Sequence, residues 1–120
     1  MKIHARRVND VAVLELAGDL ILGEPAAALR RQLYDEMAGG ARWFAVNLEK
    51  VNYIDSFGVG TILAAHTTAI NSGTKCNFFG AAPRVIAILR MVHLDQVLNL
   101  FPDETSALSN LSGEERPPGG

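Results

Sequence analysis

The segment "VNYIDSFGVGTIL", residues 51–63, places an acid and a serine directly before two closely spaced glycines. Asp and Ser are preferred at helix N-caps because their side-chain oxygens accept hydrogen bonds from backbone N–H groups that lack a partner within the helix. Gly58 and Gly60 permit a tight turn from a strand into a helix. The segment therefore predicts a tight turn into a helix that begins near Ser56.

The helix that follows is unusual because no residue from Ser56 to Thr74 is charged. Its hydroxyl, amide and imidazole groups make this run too polar to cross a membrane. Helical spacing predicts a stripe that faces the core, formed by Val59, Ile62, Leu63, His66 and Ile70. The opposite, exposed face is predicted to carry Phe57, Gly60, Thr61, Ala64 and Thr68. An exposed face normally collects Lys and Glu, whereas a small, neutral face is typical of the core of a protein–protein interface.

Strands alternate with helices on both sides of this segment. Strands are predicted over residues 2–7, 11–18, 42–48, 75–79 and 96–101. The first helix is predicted from Pro25 to the stop at Gly39 and Gly40, the second from Ser56, and the others over residues 82–92 and 102–111. This alternation predicts a single α/β domain over residues 1–111, with a mostly parallel sheet of about five strands, one N-terminal hairpin and about four helices. Residues 112–120 have nothing to bury and are predicted to form a disordered tail.

Composition restricts the classes of partner. The chain has 120 residues and a net charge of -2, without a basic block, which argues against a nucleic-acid partner. Its first residues lack the apolar region of a signal peptide, and its one cysteine cannot form an internal disulfide, so a cytoplasmic protein is predicted. Cys76 itself is interpreted as a small buried hydrophobe.

At the opening segment the sequence resembles the D-S-[ST]-G-[LVI]-G signature of STAS domains, the anti-sigma factor antagonists. The resemblance extends from the first predicted strand to Leu108. It includes "LAGDL" (16–20), "FAVNLEKVNYID" (44–55) and "PRVIAILRMVHLDQVLNLF" (83–101). The signature and the order of the elements agree in register.

The resemblance implies a phosphorylation switch. In the family, the serine after the aspartate is phosphorylated from ATP by a serine kinase that is also an anti-sigma factor. The unphosphorylated antagonist binds that kinase and frees the sigma factor, and a phosphoserine phosphatase resets it. The acceptor implied here is Ser56. The residues expected to bind the partner are Asp19, Asp55, Phe57, Gly58, Gly60, Thr61 and Ala64, with the chain itself a monomer or a weak homodimer.

Two departures from the family pattern leave an alternative open. Phe57 stands where relatives usually have Ser or Thr, and Ile21 stands where many have an acid. Both make the expected docking surface more apolar. The alternative is a STAS module that is not phosphorylated and acts as a scaffold or as a cytoplasmic accessory subunit of a membrane transport complex.

The sequence does not favour an enzyme or a metal site. Ser56 lacks the first glycine of a G-x-S-x-G nucleophile elbow, and no histidine can be assigned as its base. His4, His66 and His93 show no metal-ligand spacing, and His66 is interpreted as a hydrogen-bonded histidine at the edge of the core. The sequence around Gly58 and Gly60 lacks the lysine and the third glycine of a phosphate-binding loop. No catalytic residue, cofactor or metal is therefore predicted.

Overall fold

The computed structural model describes residues 1–114, with the side chains of residues 1–111. Its strands are β1 (Lys2–Val8), β2 (Val11–Leu20), β3 (Trp43–Ile54), β4 (Cys76–Phe79) and β5 (Asn99–Phe101). Its helices are α1 (Glu24–Ala38), α2 (Ser56–Asn71), α3 (Pro83–Met91) and α4 (Glu104–Glu114), and a short 3-10 turn (Leu94–Gln96) precedes β5.

The described strands form one mixed sheet in the order β1-β2-β3-β4-β5. β1 is antiparallel to β2, and every other neighbouring pair is parallel. The hairpin between β1 and β2 turns at Asn9, whose φ of 53° is one that Asn tolerates better than most residues. This arrangement confirms the predicted α/β fold with a single N-terminal hairpin.

Helices α1, α2 and α3 cover one face of the sheet, where their buried side chains join one apolar core. Each links two neighbouring parallel strands, as expected when all such crossovers have the usual right-handed sense. The crossovers follow the strand order, so α2 lies between α1 and α3. The core beneath them includes fully buried Phe44 and Phe78 of the central strands. α4 packs on the other face, where its Ala107 and Leu111 join a smaller apolar cluster.

A buried asparagine fixes α4 to the sheet. Asn77 Nδ2 donates to the carbonyl of Ala107 and to Asn110 Oδ1, each at 3.0 Å. Lys75 Nζ donates to the same Asn110 oxygen at 2.8 Å. These polar contacts specify the position of a helix that buries few large side chains of its own.

Two strand boundaries differ from the prediction by three residues or more. β3 continues beyond Leu48 to Ile54, because its second half pairs with β2 up to the register pair Leu20–Ile54. β5 begins at Asn99 and not at residue 96, since the chain before it is occupied by the 3-10 turn. The tail predicted for residues 112–120 starts within α4, which extends to Glu114, and residues 115–120 lie outside the described residues.

Cys76, the first residue of β4, is fully buried. Burial raises the pKa of its thiol well above the usual range, because a thiolate would lose its hydration there. This placement confirms the interpretation of Cys76 as a small buried hydrophobe.

Candidate functional site

The junction between β3 and α2 is built as the sequence predicts. Asp55 is the N-cap, with extended backbone angles, and its Oδ1 accepts a hydrogen bond from the Gly58 N–H at 2.8 Å. Its carbonyl accepts from the Val59 N–H at 3.0 Å. Asp55 thus satisfies two backbone N–H groups of the first turn, and Ser56 becomes the first residue of the helix.

Gly58 lets the first turn of α2 lie against the end of β2. A Cβ atom at this position would overlap the carbonyl oxygen of Leu20 and would lie 2.8 Å from Cγ1 of Ile54. The same Leu20 carbonyl accepts a hydrogen bond from the Asp55 N–H at 3.3 Å. The glycine is therefore required for the close approach of two backbones, and it holds the start of α2 at the edge of the sheet.

Ser56 is exposed at this edge, in acidic surroundings. Asp55 precedes it, and the register pairs Asp19 of β2 with Tyr53 of β3, so that the two acids lie at the ends of neighbouring strands. Both acids are at least partly exposed. A negative charge added to the Ser56 oxygen would meet acids from its own strand and from the next one.

An open groove between the start of α2 and the end of α3 adjoins Ser56. Its other walls are largely apolar and include Tyr53, Val59, Ile88 and Val92. No lysine or arginine is among the described residues that line it. A phosphate on Ser56 would consequently have no arginine or lysine partner in this groove.

The exposed face of α2 is uncharged, but its composition differs from the prediction. Its exposed residues after the first turn are Gly60, Leu63, Ala64, Thr67, Ile70 and Asn71, with Phe57 at its entrance. Leu63 and Ile70 were expected to face the core, and that expectation was wrong: they are 37% and 53% exposed. The face is therefore more apolar than the sequence indicated.

Two residues predicted for the docking surface are buried. Thr61 is 9% exposed and packs toward α1, with its hydroxyl donating to the Phe57 carbonyl at 3.0 Å. Gly58 is buried against Leu20. The buried side of α2 combines Ile62 with the small residues Ala65 and Ala69, which allow a close approach to the sheet, and Thr61 is buried on the same side.

The remaining predicted residues come together in space. Asp19, Asp55, Ser56 and Phe57 lie at the carboxyl edge of the sheet, and Gly60 and Ala64 continue from them along the exposed side of α2. Sequence reasoning missed Tyr53, because residues 49–55 were interpreted as leading out of β3. Beyond Leu48 only every third residue of β3 is buried, so the sequence there lacks the two-residue alternation that would have placed Tyr53 in a strand.

His66 lies at the edge of the core, on the opposite side of α2 from this face. Its Nδ1 is buried and has no hydrogen-bond partner among the described residues, which differs from the hydrogen-bonded histidine that the sequence suggested. Burial lowers the pKa of His66. No group of three His, Cys, Asp or Glu side chains within the described part of the chain converges to hold a metal ion.

The lowered pKa of His66 predicts that acid destabilises this protein more than a variant without the imidazole. The unfolded chain binds a proton at His66 near pH 6.5, whereas the folded protein resists protonation there. The free energy of unfolding is therefore unaffected by His66 above about pH 6.5 and decreases below it. We expect wild type to lose more free energy of unfolding than His66→Leu between about pH 7.5 and pH 5. Urea titrations at both pH values measure this difference. His4 and His93 are present in both proteins, so their effects cancel in the comparison. If both proteins lose the same free energy of unfolding, the pKa of His66 is not lowered by burial.

No helix within the described residues is long and apolar enough to span a bilayer. The groups at the carboxyl edge of the sheet offer a hydroxyl, two carboxylates and an apolar helix face.

Comparison with solved structures agrees with the fold. A candidate anti-sigma factor antagonist from Thermotoga maritima is 23% identical with a TM-score of 0.80, covering 90% of this chain and 92% of that chain. SpoIIAA of Bacillus in its phosphorylated form is 17% identical with a TM-score of 0.68, covering 92% and 99%. A sulfate transporter family protein from Wolinella succinogenes is 21% identical with a TM-score of 0.75, covering 86% and 85%.

A match between this sequence and the model of one protein family assigns the chain to that family. The STAS domain family matches residues 2–107, which include every described strand, helices α1 to α3 and the junction at Ser56. STAS domains are regulatory and binding domains. Because this match extends over most of the 120 residues, the chain belongs to the STAS domain family.

Proposed function

We propose that this chain is an anti-sigma factor antagonist whose binding to a serine-kinase anti-sigma factor is switched by phosphorylation of Ser56. The observation that carries the proposal is the exposed hydroxyl of Ser56, at the first position of α2, beside an uncharged and partly apolar helix face. In this scheme the unphosphorylated protein binds the kinase and thereby frees the sigma factor for transcription. A phosphoserine phosphatase restores the unphosphorylated form.

The physical basis of the switch is the charge that phosphate brings. A phosphoserine carries about two negative charges at pH 7, and at a helix N-terminus it is tolerated by the fold. No arginine or lysine is among the described residues that line the neighbouring groove, and Asp19 and Asp55 add negative charge at this edge of the sheet. A partner seated on the face of α2 would have to desolvate a dianion beside two carboxylates, which weakens the complex.

The test is phosphorylation by the anti-sigma serine kinase encoded nearest to the gene for this chain. The protein is incubated with that kinase and ATP, and the phosphate is located by mass spectrometry of proteolytic peptides. We expect one phosphate on Ser56 and none on Ser56→Ala. A kinase that labels an established antagonist while Ser56 stays unmodified would contradict the proposal for that kinase.

A second candidate is favoured by Phe57, which is 56% exposed directly after the acceptor position. A large aromatic side chain there alters the surface that a kinase would have to recognise. The chain would then be a STAS module that is not phosphorylated, acting as a scaffold or in a transport complex. Permease and transport ATPase genes beside this gene would favour that function, whereas kinase, phosphatase or sigma-factor genes favour the first.

A further inference from the structure

Two arginines of the helices that cover the sheet, Arg30 and Arg84, lack within the described part of the chain the acidic partners that several basic residues of the sheet have. Three basic residues of β1 and β3 are paired with acids: Arg6 with Glu104, Arg7 with Glu36, and Lys50 with Glu15. Arg30 of α1 and Arg84 of α3 are exposed, and neither has an acidic or hydrogen-bond partner among the described residues.

These two arginines lie on opposite sides of the uncharged helix. Arg30 borders the shallow groove between α1 and α2, together with Ala64 and Thr68. Arg84 precedes Ile88 by four residues, and Ile88 faces α2 across the groove beside Ser56, so Arg84 lies on the same side of α3. The apolar face of α2 thus has the unpaired Arg30 at its border with α1, and the unpaired Arg84 lies on α3 one helical turn before Ile88 of the groove.

We propose that the partner which docks on α2 presents an apolar ridge flanked by acidic side chains, and that these acids pair with Arg30 and Arg84. This inference rests on the proposed function and specifies the chemistry of the same docking surface. Leu63 and Ile70 supply the apolar contact, while the arginines fix the orientation of the partner.

A second copy of this chain fits the surface poorly. In a two-fold contact through α2, each copy would offer an uncharged helix face to the arginines of the other, because Asp19 and Asp55 lie only at the start of that face, at the carboxyl edge of the sheet. α3 contains no acid, and Asp35 of α1 lies five residues after Arg30, which places it on a different side of that helix. Such a pair would leave four guanidinium groups at the rim without acids from either α1 or α3 on those flanks.

The test measures the affinity of the nearest-encoded anti-sigma serine kinase for Arg30→Glu, Arg84→Glu and the double variant. Lys2→Glu is the matched control, because Lys2 is exposed, lies on the other face of the sheet and changes charge by the same amount. We expect each single reversal to weaken binding roughly fivefold at about 50 mM salt and the double variant roughly twentyfold or more. The effect should shrink at about 500 mM salt, where exposed charges are screened.

The outcomes separate this inference from the proposed function. If the kinase binds wild type and all variants with equal affinity, the acidic partner is wrong while the proposed function stands. If the kinase does not bind wild type, the proposed function fails for it, and this inference falls with it. Two further results would overturn the inference in favour of another occupant: a homodimer dissociated by Arg30→Glu, or binding to phosphatidylserine vesicles that both reversals abolish while kinase affinity is unchanged.

Discussion

Replacing Gly58 with alanine is expected to destabilise the protein by about 3 kcal/mol or more, because the added methyl group would overlap the backbone carbonyl of Leu20. A carbonyl within a strand cannot rotate away as a flexible side chain would, so α2 must shift from the sheet. The expected fall in Tm is roughly 10 °C. Thermal unfolding followed by circular dichroism measures it.

Gly60→Ala is the matched control for this effect. It makes the same change two residues further along the same helix, where a Cβ would contact nothing within 4 Å. Since alanine favours helix more than glycine does, we expect this variant to be more stable than wild type by up to about 1 kcal/mol. A Gly58→Ala protein as stable as wild type would show that the two backbones are not in close contact.

The second large effect is expected on binding. Ser56→Asp should weaken the affinity for the kinase at least about thirtyfold, because a charge within a docked interface must be desolvated without a partner. Ser56→Ala removes only a hydroxyl and should bind about as well as wild type. Isothermal titration calorimetry with the same kinase compares the three proteins directly.

Ser109→Asp provides the charge control, since Ser109 is exposed on α4, on the far face of the sheet. We expect its affinity for the kinase to equal that of wild type. Equal affinity of Ser56→Asp and Ser56→Ala would remove the switch, whatever the kinase does to the serine. An equal loss in Ser56→Asp and Ser109→Asp would indicate an effect of net charge and not of position.

The order of the elements could be predicted from sequence because strong local signals mark their boundaries. Pro25 and Gly39 bracket α1, and Asp55 supplies an N-cap that the structure confirms. The orientation of α2 could not be predicted in the same way. A helix without charged residues offers little contrast between its faces, so the sequence alone does not determine that Thr61 is buried and Leu63 exposed.

The length of β3 was underestimated for a related reason. Beyond Leu48 its exposed residues are polar or charged, which indicates a loop when the sheet is assumed to be buried on both faces. β4 pairs only with residues Phe44–Asn47, so the later part of β3 has β2 as its described neighbour. Glu49 and Lys50 are therefore compatible with a strand at a position where less of the sheet is covered.

The burial of Cys76 has a practical consequence for following the docking reaction. As the thiol is inaccessible and resists ionisation in the folded protein, a maleimide dye should leave it intact while reacting with a cysteine introduced on the surface. Fluorescent labels can then be attached near α2 without first replacing the natural cysteine. Under denaturing conditions the same thiol becomes reactive, so its rate of modification reports how often β4 is released from the sheet.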